Sequence, residues 1–333
     1  MTQDRISWQS AVGLAASSTL LTTALALSIS ALFSPPIFLS WVALAAMAGV
    51  PTQIVIAGVC PKMAGHLPQP LRGLAQIGVT VLVAGLITSG LAFGIGDGSM
   101  PSPILVMYVI LSISVAFWWI VGFGAWPITA IGLSPTLSGL VSIVAIYAMT
   151  YLAYAAFFNF SFLADRRLDP EGLFDAWDSL LLAVTTVALL LAAMLFGVTG
   201  RQPWLGLKVF GGALALALLL TTTLPTDRVF YLVHGPVAFI FGFFIVMTLM
   251  RGQAFRGLAQ PAKGGALTAA AMAVGTAMVQ LYGLAAPGDG RELWVATAML
   301  AVTFPLISAF AGSLDFWPLI RRSHSAPPSE DGS

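Results

Sequence analysis

Charged residues and cysteine are scarce in this chain. Charged residues make up 8% of its 333 residues, and the mean hydropathy is +0.94. A soluble domain carries about 25% charged residues, so this chain lacks the polar surface of a soluble protein and needs lipid as its solvent. The net charge of +1 gives no electrostatic basis for binding nucleic acid. The single cysteine, Cys60, excludes intramolecular disulfides and cysteine-based clusters.

Sequence motifs of catalytic and cofactor sites are absent as well. The chain has no phosphate-binding loop, no His/Glu zinc pattern and no glycine-rich dinucleotide fingerprint after a strand. Haem ligation by His234 lacks a second intramembrane histidine, since His66 lies in a predicted loop. Methionine could be the other axial ligand, but twelve methionines are expected in a chain this apolar. No metal and no cofactor are therefore expected, and a membrane enzyme is the least favoured class of function.

Long apolar runs are what the chain has in abundance. A transmembrane helix needs about 20 mostly apolar residues, and ten such runs lie between charged residues or Gly/Pro breaks. The predicted spans are 12–33, 37–59, 74–95, 103–125, 136–158, 179–198, 207–224, 229–250, 264–285 and 293–314. The first run exceeds the 7–15 residues of a signal-peptide core, so it is predicted to be an uncleaved span. The predicted fold class is an all-α integral membrane protein.

The distribution of Lys and Arg predicts the orientation of the ten spans. Cytoplasmic loops of membrane proteins carry an excess of these residues. With the N-terminus in the cytoplasm, ten basic residues fall inside and four outside. The inner ones are Arg5, Lys62, Arg72, Arg201, Lys208, Arg251, Arg256, Lys263, Arg321 and Arg322, and the outer ones are Arg166, Arg167, Arg228 and Arg291. Both termini are therefore expected in the cytoplasm, with the protein in a bacterial inner membrane.

Short landmarks recur in the same order in two parts of the chain. Arg-Gly-Leu-Ala-Gln occurs at 72–76 and again at 256–260. The other pairs are Pro51 with Pro236, the Gly-Asp-Gly turns 96–98 and 288–290, and Trp126-Pro127 with Trp317-Pro318. The copies are six spans apart, an even number, so both cross the membrane in the same direction. This pattern predicts two parallel pseudo-repeats of about four helices.

The repeats divide the chain into four predicted parts. Spans 1–4 (residues 1–130) form the first repeat and spans 7–10 (residues 207–322) the second. Spans 5 and 6 lie between them in residues 131–206, with an outer loop at 159–178. Residues 323–333 are polar and predict a disordered cytoplasmic tail.

Neutral polar residues interrupt two of the corresponding spans. The interruptions are Pro51-Thr52-Gln53 in span 2 and His234-Gly235-Pro236 in span 8. Proline removes a backbone donor, and paired interruptions in two copies are a pointer to a transporter site. Thr52, Gln53 and His234 are therefore candidate binding residues. The alternatives are ordinary proline kinks and, for His234, a neutral imidazole hydrogen-bonded inside the bundle.

Span 5 carries a stripe of tyrosines. The spacings between Tyr147, Tyr151 and Tyr154 put them on one helical face. An aromatic belt at the membrane interface is one explanation. The stripe descends about 10 Å along the helix, so Tyr147 and Tyr151 are also candidates for lining an internal path.

Two glycines in span 3 suit close helix packing. Gly90 and Gly94 are four residues apart, a spacing that lets helix backbones approach each other. This prediction concerns structure alone.

The predicted function follows from excluding other classes of membrane protein. No Asp, Glu, Lys or Arg falls well inside a predicted span, which disfavours a carboxylate proton relay, a voltage sensor and a charge-ringed channel. The prediction is a permease-like membrane transporter whose partners are the lipid bilayer and a small organic or weakly polar solute. The alternative is a membrane-embedded accessory or cofactor-binding subunit of a larger membrane complex. A homo-oligomer is compatible with both.

Overall fold

The computed structural model describes residues 8–95, 98–101, 103–155, 176–223, 227–250, 254–255, 257–288 and 290–317. Within these residues the fold is all-α, with no strand. The predicted tail, 323–333, and most of the predicted outer loop, 159–178, lie outside them.

Among the described residues, ten helices are long and apolar enough to cross a membrane, and they follow the order of the ten predicted spans. They are α1 (Ala11–Ala31), α2 (Pro35–Gly58), α3 (Leu71–Gly94), α4 (Leu105–Gly122), α5 (Pro135–Ala153), α6 (Asp178–Leu195), α7 (Trp204–Thr223), α8 (Arg228–Leu249), α9 (Ala262–Ala285) and α10 (Arg291–Ser313). The all-α class and the number of candidate spans are thereby confirmed. The ends differ by a few residues, since hydropathy does not detect turns. For example, α4 ends at Gly122 because Gly124 and Ala125 adopt left-handed backbone.

The ten helices form two concentric rings. The even-numbered helices contact one another in the closed order α2, α4, α6, α8, α10 and back to α2. Each odd-numbered helix packs from outside against two or three of them: α1 on α8 and α10, α3 on α10 and α2, α5 on α2 and α4, α7 on α4 and α6, and α9 on α6, α8 and α10. Between 56% and 67% of the residues in the even-numbered helices are buried, against 17–33% in the odd-numbered ones. We call these sets the inner ring and the outer ring.

A Gln-Pro-x-x-Gly sequence begins three helices of the outer ring. In each copy the glutamine Nε2 donates to a carbonyl at the end of an inner helix, and its Oε1 accepts from the N–H of the glycine. The Nε2 bonds join Gln69 to Ser313, Gln202 to Gly122 and Gln260 to Leu195, at 2.8–2.9 Å. The Oε1 bonds join Gln69 to Gly73, Gln202 to Gly206 and Gln260 to Gly264. Because the last carbonyls of a helix lack partners within it, these joints tie the two rings together.

The joints also define the two faces of the bundle. The inner helices α4, α6 and α10 end where the outer helices α7, α9 and α3 begin. The start of α5 lies beside the end of α2 in the same way, since Gly139 contacts Cys60. We call this side the carboxyl face, because inner helices end there, and the opposite side the amino face.

The closest helix packing joins α8 and α9. A Cβ on Gly242 would overlap the carbonyl oxygen of Ala271, and one on Gly275 would overlap that of Ala238. The two backbones are therefore in direct contact. Gly90 and Gly94, predicted to serve this purpose, have open space at their Cβ positions. That prediction was wrong, because this face of α3 is turned away from the inner ring.

Some repeat landmarks occupy different places in the two parts of the chain. Residues 73–76 lie inside α3, whereas residues 257–260 precede α9. Pro51 lies in the second half of α2, and Pro236 lies in the first half of α8. These two landmarks therefore do not mark equivalent positions.

The tryptophan landmarks share one local structure. The backbone N–H of Ala125 donates to Trp119, six residues earlier, and that of Trp126 donates to Phe123. The same two bonds recur at the end of α10, where the N–H of Phe316 donates to Phe310 and that of Trp317 donates to Leu314. Each of these residues lies 191 positions after its counterpart at the end of α4. The ends of α4 and α10 thus turn in the same way.

Proline accompanies irregular backbone in α2 and α8. In α2 the α-helix is interrupted at Gly49, and Pro51 is the second residue of the segment that follows. In α8 a wide π turn, Val233–Val237, contains Gly235 and Pro236. Because proline has no N–H to donate, neither helix keeps a regular hydrogen-bond ladder at these points.

Candidate functional site

Three phenylalanines from three helices meet inside the inner ring. Phe117 comes from α4, Phe244 from α8 and Phe304 from α10. Their ring centroids lie 5.9 Å (Phe117–Phe244), 6.5 Å (Phe117–Phe304) and 4.5 Å (Phe244–Phe304) apart. These separations are those of aromatic rings in contact. We call this cluster the phenylalanine constriction.

Each phenylalanine of the constriction adjoins a π turn. Phe117 precedes the turn Trp118–Gly122, Phe244 precedes Ile245–Leu249, and Phe304 follows Thr297–Thr303. The turns of α4 and α8 therefore lie on the carboxyl-face side of the constriction, and the turn of α10 lies on its amino-face side. Similar turns occur elsewhere in the described helices, for example at Val233–Val237 and Ala309–Ser313.

A cavity of about 490 Å³, the vestibule, lies between the constriction and the carboxyl face. The three phenylalanines form its closed end, and it extends to residues at the ends of α2 and α10. Its polar lining consists of Gln53, Gln76, Thr248, Ser308 and Ser313, and its other lining residues are Ile54, Ile56, Ala57, Gly58, Pro61, Ile120, Val121 and Gly312. None of the described residues that line it is charged. The vestibule therefore offers neutral hydrogen-bonding groups on an apolar wall.

A second, smaller cavity lies across the constriction. The middle cavity, of about 40 Å³, is lined by residues from all five helices of the inner ring. They are Met47, Ile110, Ile113, Ser114, Phe117, Val184, Val187, Ile240, Leu300 and Phe304. Because Phe117 and Phe304 line both cavities, their rings separate the two.

Gln53 is the predicted site residue that lines the vestibule. Its Nε2 lies 3.4 Å from the carbonyl oxygen of Pro305 and donates to it. This contact orients the amide, and its Oε1 is buried without a hydrogen-bond partner among the described residues. Thr52 is fully buried beside it, and its hydroxyl also has no partner in the described structure. Gln53 can accept a hydrogen bond from a neutral solute after a small side-chain movement.

His234 occupies a different part of the bundle from Gln53. Its imidazole stacks on Phe230, with ring centroids 4.1 Å apart, and its Nε2 lies 3.2 Å from Oε2 of Glu292. Glu292 begins α10, whereas Pro305, the partner of Gln53, lies 13 residues later. At 1.5 Å per residue these points are about 20 Å apart along the helix. His234 therefore lies near the amino face, and it lines neither the vestibule nor the middle cavity.

The tyrosines of α5 do not form one inward stripe. The Tyr147 hydroxyl donates to the carbonyl of Ala48 at 2.8 Å, which ties α5 to α2. Tyr154 packs edge-on against Tyr108, with centroids 5.4 Å apart. Tyr151 is 55% exposed on the outside of the bundle. Of the five predicted site residues, Gln53 lines the vestibule, and the other four line neither the vestibule nor the middle cavity.

Sequence reasoning missed the constriction, although a signal was present. In α8, Ile240, Phe244 and Thr248 follow one another at intervals of four residues. In α10, Leu300, Phe304 and Ser308 repeat the order of aliphatic, phenylalanine and hydroxyl residue at the same interval. Residues four apart share a helical face, and all six line the two cavities. The pattern is hard to recognise in the sequence, because one phenylalanine among 21 carries little information by itself.

Metal chemistry finds no support in the part of the chain that the structure describes. No group of three or more His, Cys, Asp or Glu side chains is close enough there to hold an ion. The described lining of the vestibule offers neutral amide and hydroxyl groups for hydrogen bonding.

Comparisons with protein-family models, with characterised proteins and with solved structures found no match to this chain.

Proposed function

We propose that the protein is a permease-like membrane transporter that moves a small organic or weakly polar solute along the centre of the inner ring. The phenylalanine constriction closes this route in the conformation described. A solute from the carboxyl face reaches the vestibule, meets Gln53 and crosses when the rings of Phe117, Phe244 and Phe304 separate.

One observation carries this proposal. Two cavities lie in line inside a closed ring of five helices, and one layer of aromatic side chains separates them. A packed helical core has few voids larger than a water molecule. Cavities on both sides of a thin partition are the arrangement that a gated route requires.

The lining supports an uncharged solute. The described lining residues of both cavities carry no charge, and the vestibule offers amide and hydroxyl groups. A charged solute would lose its hydration without a counter-charge, at a high free-energy cost. A small uncharged solute with one or two hydrogen-bonding groups would lose little hydration free energy on entering the vestibule.

Orientation and repeats form part of the proposal. The excess of Lys and Arg supports a cytoplasmic carboxyl face and cytoplasmic termini. The matching turns at the ends of α4 and α10, 191 residues apart, support two parallel repeats whose helices run in the same direction.

The test is to remove one ring of the constriction. Phe304 contacts both other phenylalanines, so Phe304→Ala should join the vestibule and the middle cavity. We expect proteoliposomes of this variant to pass glycerol, urea or erythritol at least about tenfold faster than the wild type, which corresponds to about 1.4 kcal/mol removed from the barrier. The measurement is stopped-flow light scattering after an osmotic step.

Phe239→Ala is the matched control. Phe239 is equally buried, and it lines neither cavity. Its loss creates a comparable core defect, about 3–5 kcal/mol for a buried phenylalanine, away from the constriction. Equal solute flux through the Phe304→Ala and Phe239→Ala variants would refute the proposal.

A further inference from the structure

The largest fully buried side chain of the described residues is that of Tyr282, on the outer helix α9. Its hydroxyl forms a hydrogen bond with Oγ1 of Thr303 on the inner helix α10, and Thr303 is fully buried as well. The next residue along α10 is Phe304 of the phenylalanine constriction. Tyr282 lines neither the vestibule nor the middle cavity, so it contacts α10 from the side of the outer ring.

The direction of this hydrogen bond follows from a second bond that Thr303 makes. The hydroxyl of Thr303 donates its proton to the carbonyl oxygen of Ala298, 2.8 Å away. Because a hydroxyl has one proton, the hydroxyl of Tyr282 is the donor and Oγ1 of Thr303 is the acceptor. The two bonds form a chain from the outer ring to the backbone of α10, and its three residues are all fully buried.

The chain ends on the π turn that leads into Phe304. In this turn, Thr297–Thr303, the backbone N–H of Phe304 donates to Met299, five residues earlier. A regular α-helix has this bond at four residues, so the α-helical ladder is interrupted just before Phe304. The side chain of Thr303 reaches back to Ala298 across the same turn. Thr303 therefore braces the turn, and Tyr282 holds Thr303.

Helix α9 is itself fixed against the neighbouring inner helix. A Cβ on Gly275 would overlap the carbonyl oxygen of Ala238 in α8, and α8 carries Phe244. Tyr282 follows Gly275 by seven residues, so both lie on one face of α9. One outer helix thus contacts the two inner helices whose phenylalanines are closest, with 4.5 Å between the ring centroids of Phe244 and Phe304.

The contact of Thr303 with Tyr282 also sets the rotation of α10 about its own axis. Adjacent residues of a helix point in different directions. Thr303 is directed at the outer ring, where it meets Tyr282, and Phe304 is directed at the two cavities of the inner ring. A rotation of α10 that took Phe304 out of the constriction would therefore break the bond between Tyr282 and Thr303.

We propose that Tyr282 is a positioning residue that holds Phe304 in the closed constriction. The proposal rests on the proposed function, because it assigns to the Tyr282 hydroxyl the closed position of the ring that blocks the solute. The route opens when α10 turns and the bond between Tyr282 and Thr303 breaks.

The test places a fluorine label on the ring of Phe304. The full-length protein carries para-fluorophenylalanine in place of Phe304, and its fluorine NMR spectrum is recorded in detergent. Tyr282→Phe and Thr303→Val each remove the hydrogen bond and nearly keep the size of the side chain. Either variant suffices if the other does not fold. Thr303→Ser keeps the hydroxyl and should behave as the wild type.

Tyr108→Phe is the matched control. Tyr108 is a buried tyrosine of the inner helix α4, and its hydroxyl donates to the carbonyl of Tyr147 on the outer helix α5. The control therefore also loses a hydrogen bond between the two rings. Tyr108 lines neither cavity, and it lies nine residues before Phe117, about 13 Å along the helix.

We expect one fluorine line at the same position in the wild type, Thr303→Ser and Tyr108→Phe, and a shifted or second line in Tyr282→Phe and Thr303→Val. Without the label, proteoliposomes of the last two variants should pass urea severalfold faster than the wild type. The double variant should match the single ones, because all of them lack the same bond.

Spectra of Tyr282→Phe and Thr303→Val that match the wild type would overturn the proposal. So would wild-type urea flux in both variants when Phe304→Ala raises the flux. Unchanged flux in Phe304→Ala would refute the proposed function by itself, and the fluorine spectra would still decide whether Tyr282 positions Phe304.

Discussion

At the scale of single residues, His234 shows how the surroundings of a candidate site residue depend on distant parts of the chain. Its imidazole stacks on Phe230, and its Nε2 lies 3.2 Å from Oε2 of Glu292, an atom that accepts no hydrogen bond from the described residues. The sequence identified His234 as a histidine within a span, but it could not show the glutamate, because Glu292 belongs to a segment 58 residues further along the chain.

We expect His234→Ala to lower the melting temperature in detergent by a few degrees. Removing the imidazole leaves a carboxylate oxygen without its partner, which costs about 1–3 kcal/mol for a buried group. Because both side chains are partly exposed, we expect a loss of stability at the lower end of this range. Adding Glu292→Gln to the variant should recover part of the loss, because the unpaired charge is then gone. An unchanged melting temperature combined with lost solute flux would instead support His234 as a solute ligand.

Gln53 is the residue where sequence and structure agree best. A glutamine in an apolar span must find a hydrogen-bond partner or a cavity, and this one has both, the Pro305 carbonyl and the vestibule. Thr52 was selected by the same reasoning, and its side chain is buried away from the vestibule lining. Adjacent helical residues point in different directions, and here Gln53 lines the vestibule whereas Thr52 does not.

At the scale of helices, glycine spacing is informative only when the packed face is known. Gly90 and Gly94 have the spacing of a packing motif and meet nothing, whereas Gly242 and Gly275 hold α8 against α9. The sequence contains 33 glycines, and the ring arrangement decides which of them face a neighbouring backbone. Hydropathy could predict that the helices exist, because it depends on local composition alone.

Gly242→Ala should destabilise the protein far more than Gly90→Ala. The added methyl group at position 242 meets a backbone carbonyl that cannot rotate away, and overpacking of this kind costs about 1–3 kcal/mol or more. At position 90 the methyl group has open space, and alanine favours a helix over glycine by about 0.5–1 kcal/mol. Thermal unfolding of the two variants checks this. A melting temperature for Gly242→Ala at or above that of Gly90→Ala would contradict the close packing.

At the scale of the whole molecule, the sequence predicted ten spans but not their arrangement in two rings. The hydrophobicity of each span is a local property of the sequence, whereas the rings depend on which helices contact one another. Several spatial arrangements of ten apolar helices would bury similar areas, so hydrophobicity does not select one of them. The longest landmark, Arg-Gly-Leu-Ala-Gln, does not mark equivalent positions, because its copies lie at different places relative to α3 and α9. The Gln-Pro-x-x-Gly joints were the better guide, since each marks the start of an outer helix.

The central claim is that one layer of phenylalanine closes a route open to the carboxyl face. It is tested most directly by labelling cysteines on either side of Phe304 with a water-soluble maleimide. Ser308 and Leu300 lie one turn after and one turn before Phe304, in the vestibule and the middle cavity. The background is Cys60→Ser. Burial raises the pKa of the Cys60 thiol, so its reaction is slow but not zero.

In vesicles of known orientation, we expect Ser308→Cys to react only from the cytoplasmic side and Leu300→Cys to stay unlabelled. Adding Phe304→Ala should make Leu300→Cys react from the same side. Labelling of Leu300→Cys with Phe304 in place, or no labelling of Ser308→Cys from either side, would contradict the account.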